Sequence, residues 1–113
     1  MPDSIYIDQE DGKKRVMNNA KLYSKLLDKF CKDTKLEPVF AAIEAGNYEE
    51  AQTLAHTIKG VTANLSIMDL NKKIQELEAQ IKTQSVDAQI VEAVKASFSA
   101  TLPEIEKVIA ENA

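Results

Sequence analysis

The sequence predicts an all-α protein: an antiparallel up-and-down four-helix bundle with a short extra helix at its N-terminus. Three observations lead there. Apolar residues recur at helical spacing nearly from end to end, and the sustained two-residue alternation of a strand is missing. The connections between periodic segments are short, which makes successive helices antiparallel neighbours. At 113 residues the chain suits one domain. The bundle core is expected over about residues 19–111, after an N-terminal segment over 1–18.

Each element has its own signals. Residues from Asp8 to Met17 read as a short entry helix weakened by Gly12. Leu22, Leu26, Leu27 and Phe30 form the apolar stripe of the first arm, which starts after a cap at Asn18 or Asn19. The stretch from Asp33 to Pro38 bends or breaks that arm. Thr34 and Glu37 have capping-box spacing, whereas Pro38 fits the first helical position after a Glu37 cap, and the two readings exclude each other. Phe40 and Ile43 continue the stripe to Gly46, a helix stop.

Asn47 with Glu50 opens the next helix, whose inner face gathers Ala51, Leu54, Ala55, Ile58, Val61 and Leu65. Ser66 with Asp69 has the same cap spacing and precedes a third helix lined by Leu70, Ile74, Leu77 and Ile81. After a turn around Thr83 to Asp87, the last helix carries Ile90, Val94, Phe98, Leu102, Ile105 and Ile109. Pro103 is expected to kink it near Ser99, whose carbonyl it crowds.

Composition narrows the function. The chain is 44% hydrophobic and 28% charged, as in a soluble globular protein, and 14 basic against 18 acidic residues leave a net charge of −4. That balance argues against a nucleic-acid surface, which needs a basic stripe. Cys31 is the only cysteine, so an intramolecular disulfide and a thiolate metal cluster are both excluded. The opening Met1-Pro2-Asp3-Ser4 lacks the features of a secretory leader, and no apolar run approaches a membrane span. A cytoplasmic, monomeric protein is the expectation.

The chemistry gathers on the second helix of the bundle. At about 100° per residue, His56, the only histidine, falls on the polar face with Glu49, Gln52, Lys59, Gly60 and Ala63. Exposed histidines are common, and H-x-x-K-G is a short string. Yet Gly60 stands inside a helix, where glycine costs about 1 kcal/mol relative to alanine, and on the face where core packing cannot require it. A bare backbone beside an imidazole allows a partner or a phosphoryl group to come close, and Ala63 continues the low surface. Lys59 lies beside His56 on the helix and carries three N–H donors suited to phosphoryl oxygens. Other chemistries lack their parts: there is no Glu-x-x-His, no second histidine, no phosphate-binding glycine loop and no nucleophile elbow.

The string from Ala55 to Leu65, A-H-T-I-K-G-V-T-A-N-L, resembles the signature of histidine-containing phosphotransfer (HPt) domains of two-component phosphorelays. The segment from Asn19 to Phe30 is similar to that family's first bundle helix, Ala45 to Ala51 to its lead-in, and Leu77-Glu78 to its following helix. The likeness spans about Asp8 to Phe98. One departure is Ser66, where bacterial members commonly have glycine.

The resemblance implies that His56 accepts a phosphoryl group from a receiver-domain phosphoaspartate and passes it to another receiver's aspartate. Lys59 would offset phosphoryl charge, and Gly60 would allow close approach. The receivers, in response regulators or hybrid kinases, would bring Mg²⁺ and most of the transition-state stabilisation. The chain itself would need no cofactor and would not be an enzyme. Counting back from the turn at Leu65–Ser66 places Gln75 to Glu78 level with His56. Related domains often carry a glutamine or acidic residue there that orients the imidazole, a role the resemblance offers to Gln75 or Glu78, with plain surface solvation an equal expectation. Gln52 and Ala63 would line the docking face. The competing reading is a helical adaptor that binds a signalling partner without phosphotransfer.

Overall fold

The computed structural model describes residues 4–112. Met1-Pro2-Asp3, the start of the stretch read above as lacking a leader, lies outside the described residues. The chain is all-helical, with α1 (Gln9–Arg15), α2 (Ala20–Asp33), α3 (Glu37–Glu44), α4 (Tyr48–Asn64), α5 (Met68–Lys82) and α6 (Ala88–Glu111). The one β-type pairing among the described residues is an isolated bridge between Ile7 and Ile67. α4 packs on both α3 and α5, and α6 on both α5 and α2, giving an elongated body of 43 × 21 × 19 Å. No described helix is long and apolar enough to cross a membrane.

Short polar side chains start most of the helices. Asp8, Asn19, Asn47 and Asp87 each accept a backbone N–H of the first turn, satisfying donors that have no partner within the helix. The first arm is two helices rather than one. α2 closes at Thr34, and α3 starts after Leu36 with Pro38 at its second position, so neither the Thr34 box nor the Glu37 cap forms. The cap expected at Ser66 does not form either: α5 begins after Ile67 with no side-chain cap.

Ser66 instead closes α4. Its φ of 56° is left-handed, and Ser66 N–H and Ile67 N–H return to the carbonyls of Ala63 and Thr62. This is the Schellman arrangement, in which glycine is favoured. α3 ends in the same way at Gly46 (φ 77°), and α5 at Gln84 (φ 54°). Only Gly46 escapes the Cβ clash of that conformation. At Ser66 a hydroxyl bond to Asp11 Oδ2 (2.5 Å) offsets it, and that bond, with Arg15, holds the Asp11 carboxyl below its usual range. Asp69, freed from capping, accepts the Ser97 hydroxyl of α6 at 2.6 Å.

The core confirms Leu70, Ile74, Leu77 and Ile81 of α5 as buried, but three other stripes rotate. α6 buries Ile90, Val94, Ser97, Thr101, Ile105 and Val108, leaving Phe98, Leu102 and Ile109 half-buried. A spacing of four drifts by about 40° at each step, so the continuous contact mixes threes with fours and recruits Ser97 and Thr101. The same drift exposes Val61 (38%) and buries Thr62 in α4, and it exposes Leu22 (40%) and buries Tyr23 in α2. α6 runs uninterrupted through Pro103.

Tyr23 anchors the N-terminal segment. Its hydroxyl donates to Leu65 O at 2.7 Å, and burial pushes its phenol well above the usual range. Gly12 of α1 lies flat against its ring: a Cβ there would fall inside the Tyr23 side chain. The glycine that weakens α1 by propensity is therefore the one residue that lets α1 seat. Gly12→Ala should destabilise the protein by about 1–3 kcal/mol through overpacking, although alanine is the better helix former. Urea unfolding checks this, and increased stability would show that the contact does not limit packing.

Candidate functional site

α4 brings His56 to the surface because its core-facing positions, Ala51, Ala55, Ile58 and Thr62, lie on the other side of the helix. The His56 side chain is 69% exposed. The two small residues predicted beside it behave as the sequence indicates: Gly60 and Ala63 are exposed, and nothing lies within 4 Å of where a Gly60 Cβ would stand. No contact among the described residues requires glycine at this position.

Among the described residues, the ring is held from one side only. Glu78 of α5 points its carboxylate at α4 and is buried, its side chain only 4% exposed. Glu78 Oε2 lies 3.3 Å from His56 Nδ1, and Oε1 lies 2.7 Å from Lys59 Nζ. Of the two residues expected near the imidazole, Glu78 reaches it. Gln75 is exposed and donates instead to Asn71 Oδ1 at 2.6 Å. Gln52 lies half-buried on α4 one turn before His56. Ala63 and Gln75 line a shallow groove of about 330 Å³ with Asn71, Ser66 and, from α1, Asp11 and Arg15.

The electrostatics follow from these contacts. Burial alone would raise the Glu78 carboxyl, but the hydrogen bond and charge of Lys59 and the hydrogen bond of His56 outweigh it, so its pKa lies below the usual glutamate value. An ionised carboxylate only accepts, so in the neutral imidazole of His56 the proton sits on Nδ1 and the lone pair on Nε2. Lys59 uses one of its donors on Glu78 and is 31% exposed, leaving two N–H bonds for another acceptor.

The sequence reading missed the polar cluster beneath the site. Thr62, fully buried, donates to the Ile58 and Lys59 carbonyls, and the Asn71 side-chain amide meets both Lys59 O (2.9 Å) and Thr62 Oγ1 (3.0 Å). A threonine within an apolar stripe was the available signal. His56 lines none of the larger clefts, and no three metal-ligating side chains converge among the described residues. The arrangement presents an oriented imidazole on an open surface.

Because the folded Glu78 pKa is depressed, its contribution to stability is complete above the ordinary glutamate value and lost as pH falls through the lower folded value. Glu78→Gln should cost about 1–2 kcal/mol near neutrality. The gap from wild type should narrow below about pH 4.3, the ordinary glutamate value. Urea melts from neutral to acidic pH measure this; a gap that widens on acidification would contradict the pairing.

The Hpt domain family model matches residues 25–108, a span that holds His56, Lys59, Gly60, Asn71 and Glu78 and excludes α1. No curated protein and no solved structure matches the chain. Hpt domains act in phosphotransfer within two-component systems and interact with receiver domains. With well over half its length matched, the chain belongs to the Hpt domain family.

Proposed function

We propose that the protein is a phosphocarrier in a two-component phosphorelay and that His56 is its phosphoacceptor. The observation that carries this reading is the exposed imidazole whose Nδ1 is fixed by the buried Glu78 carboxylate. In the forward step the Nε2 lone pair attacks the phosphorus of a receiver's phosphoaspartate. The P–N bond forms as the acyl P–O bond breaks, and the aspartate leaves as carboxylate. Nδ1 keeps its proton throughout, and the positive charge that develops on the ring faces Glu78. Onward transfer is the reverse step on a second receiver's aspartate. The two Lys59 donors not used by Glu78 suit the phosphoryl oxygens.

Gly60 and Ala63 give the receiver a low surface beside the ring, with Gln52 and Gln75 at its margins. The open setting supports a carrier rather than an enzyme: this chain orients the nucleophile, while the receiver brings Mg²⁺ and the groups around the phosphorus. The helix packing order supports an antiparallel up-and-down bundle. In it, α2 and α3 share one arm, α4, α5 and α6 are the others, and α1 is an extra helix. We read residues 1–113 as one domain acting as a cytoplasmic monomer.

Incubation with phosphorylated receivers and Mg²⁺, followed by intact mass and acid treatment, tests the assignment. An acid-labile phosphoryl adduct is expected on the wild type and none on His56→Gln. A folded wild type left unlabelled by several receivers would favour the adaptor reading. Gly60→Ala should stabilise the free protein by about 1 kcal/mol through helix propensity, yet slow transfer by raising the surface beside the ring. Unchanged transfer in that variant would remove Gly60 from the docking face.

A further inference from the structure

Lys59 and Gly60 share the one peptide group of α4 at which a mid-helix glycine loosens the backbone beside the site. The carbonyl of that group accepts more than its helical partner. Besides the Ala63 amide of the α-helical ladder, it receives the Thr62 hydroxyl at 3.0 Å and the Asn71 side-chain amide at 2.9 Å. Asn71 spends its second N–H on Thr62 Oγ1 at 3.0 Å, and its Oδ1 accepts Gln75 Nε2 at 2.6 Å. A carbonyl only accepts, so the Asn71 amide orientation follows from the chemistry. Among the described contacts, Asn71 is the α5 side chain that holds the α4 backbone at this point. Glu78, two turns further along α5, holds the side chains of His56 and Lys59 instead.

We propose that Asn71 is a positioning residue for the phosphoryl site. Its amide pins the Lys59–Gly60 peptide and so offsets the looseness that Gly60 introduces, keeping Lys59 and His56 in register with Glu78. Gly60 keeps the surface low for the receiver, and Asn71 supplies from behind the rigidity that a Cβ would have given. The inference rests on the phosphocarrier reading for its kinetic consequence but not for its structural one.

Two measurements test it. The first is amide hydrogen exchange over Gly60 to Asn64 for Asn71→Ala and for the near-isosteric Asn71→Asp, which turns an acceptor toward the Lys59 carbonyl. Each is made with Gly60 intact and again with Gly60→Ala. Exchange should rise ~5–10-fold with Gly60 intact, as for the loss of interior hydrogen bonds, and by less than ~2-fold with Gly60→Ala, a coupling that only neighbouring, interacting sites show. Equal increases in both backgrounds, none in either, or a rise in every helix for both Asn71 variants, which would make Asn71 a general packing residue, overturn the proposal.

The second is transfer from a receiver phosphorylated with acetyl phosphate and Mg²⁺. Asn71→Ala should lower the maximal rate ~3–10-fold with the half-saturating receiver concentration unchanged, since misplacement costs rate rather than docking. An unchanged maximal rate overturns the proposal. If the wild type is itself unlabelled, the phosphocarrier reading fails, and the exchange coupling still decides the role of Asn71.

Discussion

The register of α4 against α5 governs everything the surface around His56 can do. It is set by the turn Leu65–Ser66–Ile67, in which Ser66 is left-handed and two amides return to the last turn of α4. Four residues of the described N-terminal part, Tyr6, Asp8, Asp11 and Tyr23, fasten at or beside this turn. Tyr23 donates to Leu65 O, Asp8 N–H to Ser66 O, Met68 N–H to Tyr6 O, and Ser66 itself to Asp11. A slip of one residue along α5 would rotate its face by about 100° and carry both Asn71 and Glu78 away from α4. The described residues before position 25 therefore support the α4–α5 turn, although the bonds of His56 and Lys59 themselves go to Glu78.

Glu78 illustrates how a buried charge is tolerated. Removing a carboxylate from water is costly, and the cost is met only when both oxygens find strong partners. Here one oxygen takes the Lys59 ammonium and the other the imidazole Nδ1–H, so the acceptor capacity is directed at the two side chains that matter. The pairing works in both directions. The carboxylate fixes the imidazole tautomer, and the imidazole and ammonium keep the carboxylate ionised. His56 remains mostly exposed, so the oriented ring stays open to a partner.

The site also divides labour between its two helices. α4 supplies the groups proposed to meet a partner, His56, Gly60 and Ala63, all exposed. α5 supplies the groups that hold them, Glu78 for the side chains and Asn71 for the backbone. Such an arrangement lets the outer surface stay small and low while its rigidity comes from behind. It suits a surface that must bind, release and bind again, because the parts that hold the geometry are not the parts a partner displaces.

Periodicity, capping residues and a single histidine opposite an apolar face were legible in the sequence because they are local. Helix existence, the exposure of His56, Gly60 and Ala63, and the inner face of α5 all follow from a repeat of about 3.6 residues. The details that failed were set by neighbours. Val61 and Leu22 lost their core places to Thr62 and Tyr23, since burial depends on the direction from which another helix approaches. Ser66 proved a helix terminator rather than a cap, because the Asp11 that offsets its left-handed backbone is 55 residues away. Gly12, locally a weakness, is required by the Tyr23 ring. The choice between Gln75 and Glu78 turned on which of them faces α4. The sequence by itself determined the helices and the exposed imidazole; only the tertiary structure decided which α5 side chain holds that ring, because relative helix rotation is fixed by packing between segments rather than within one.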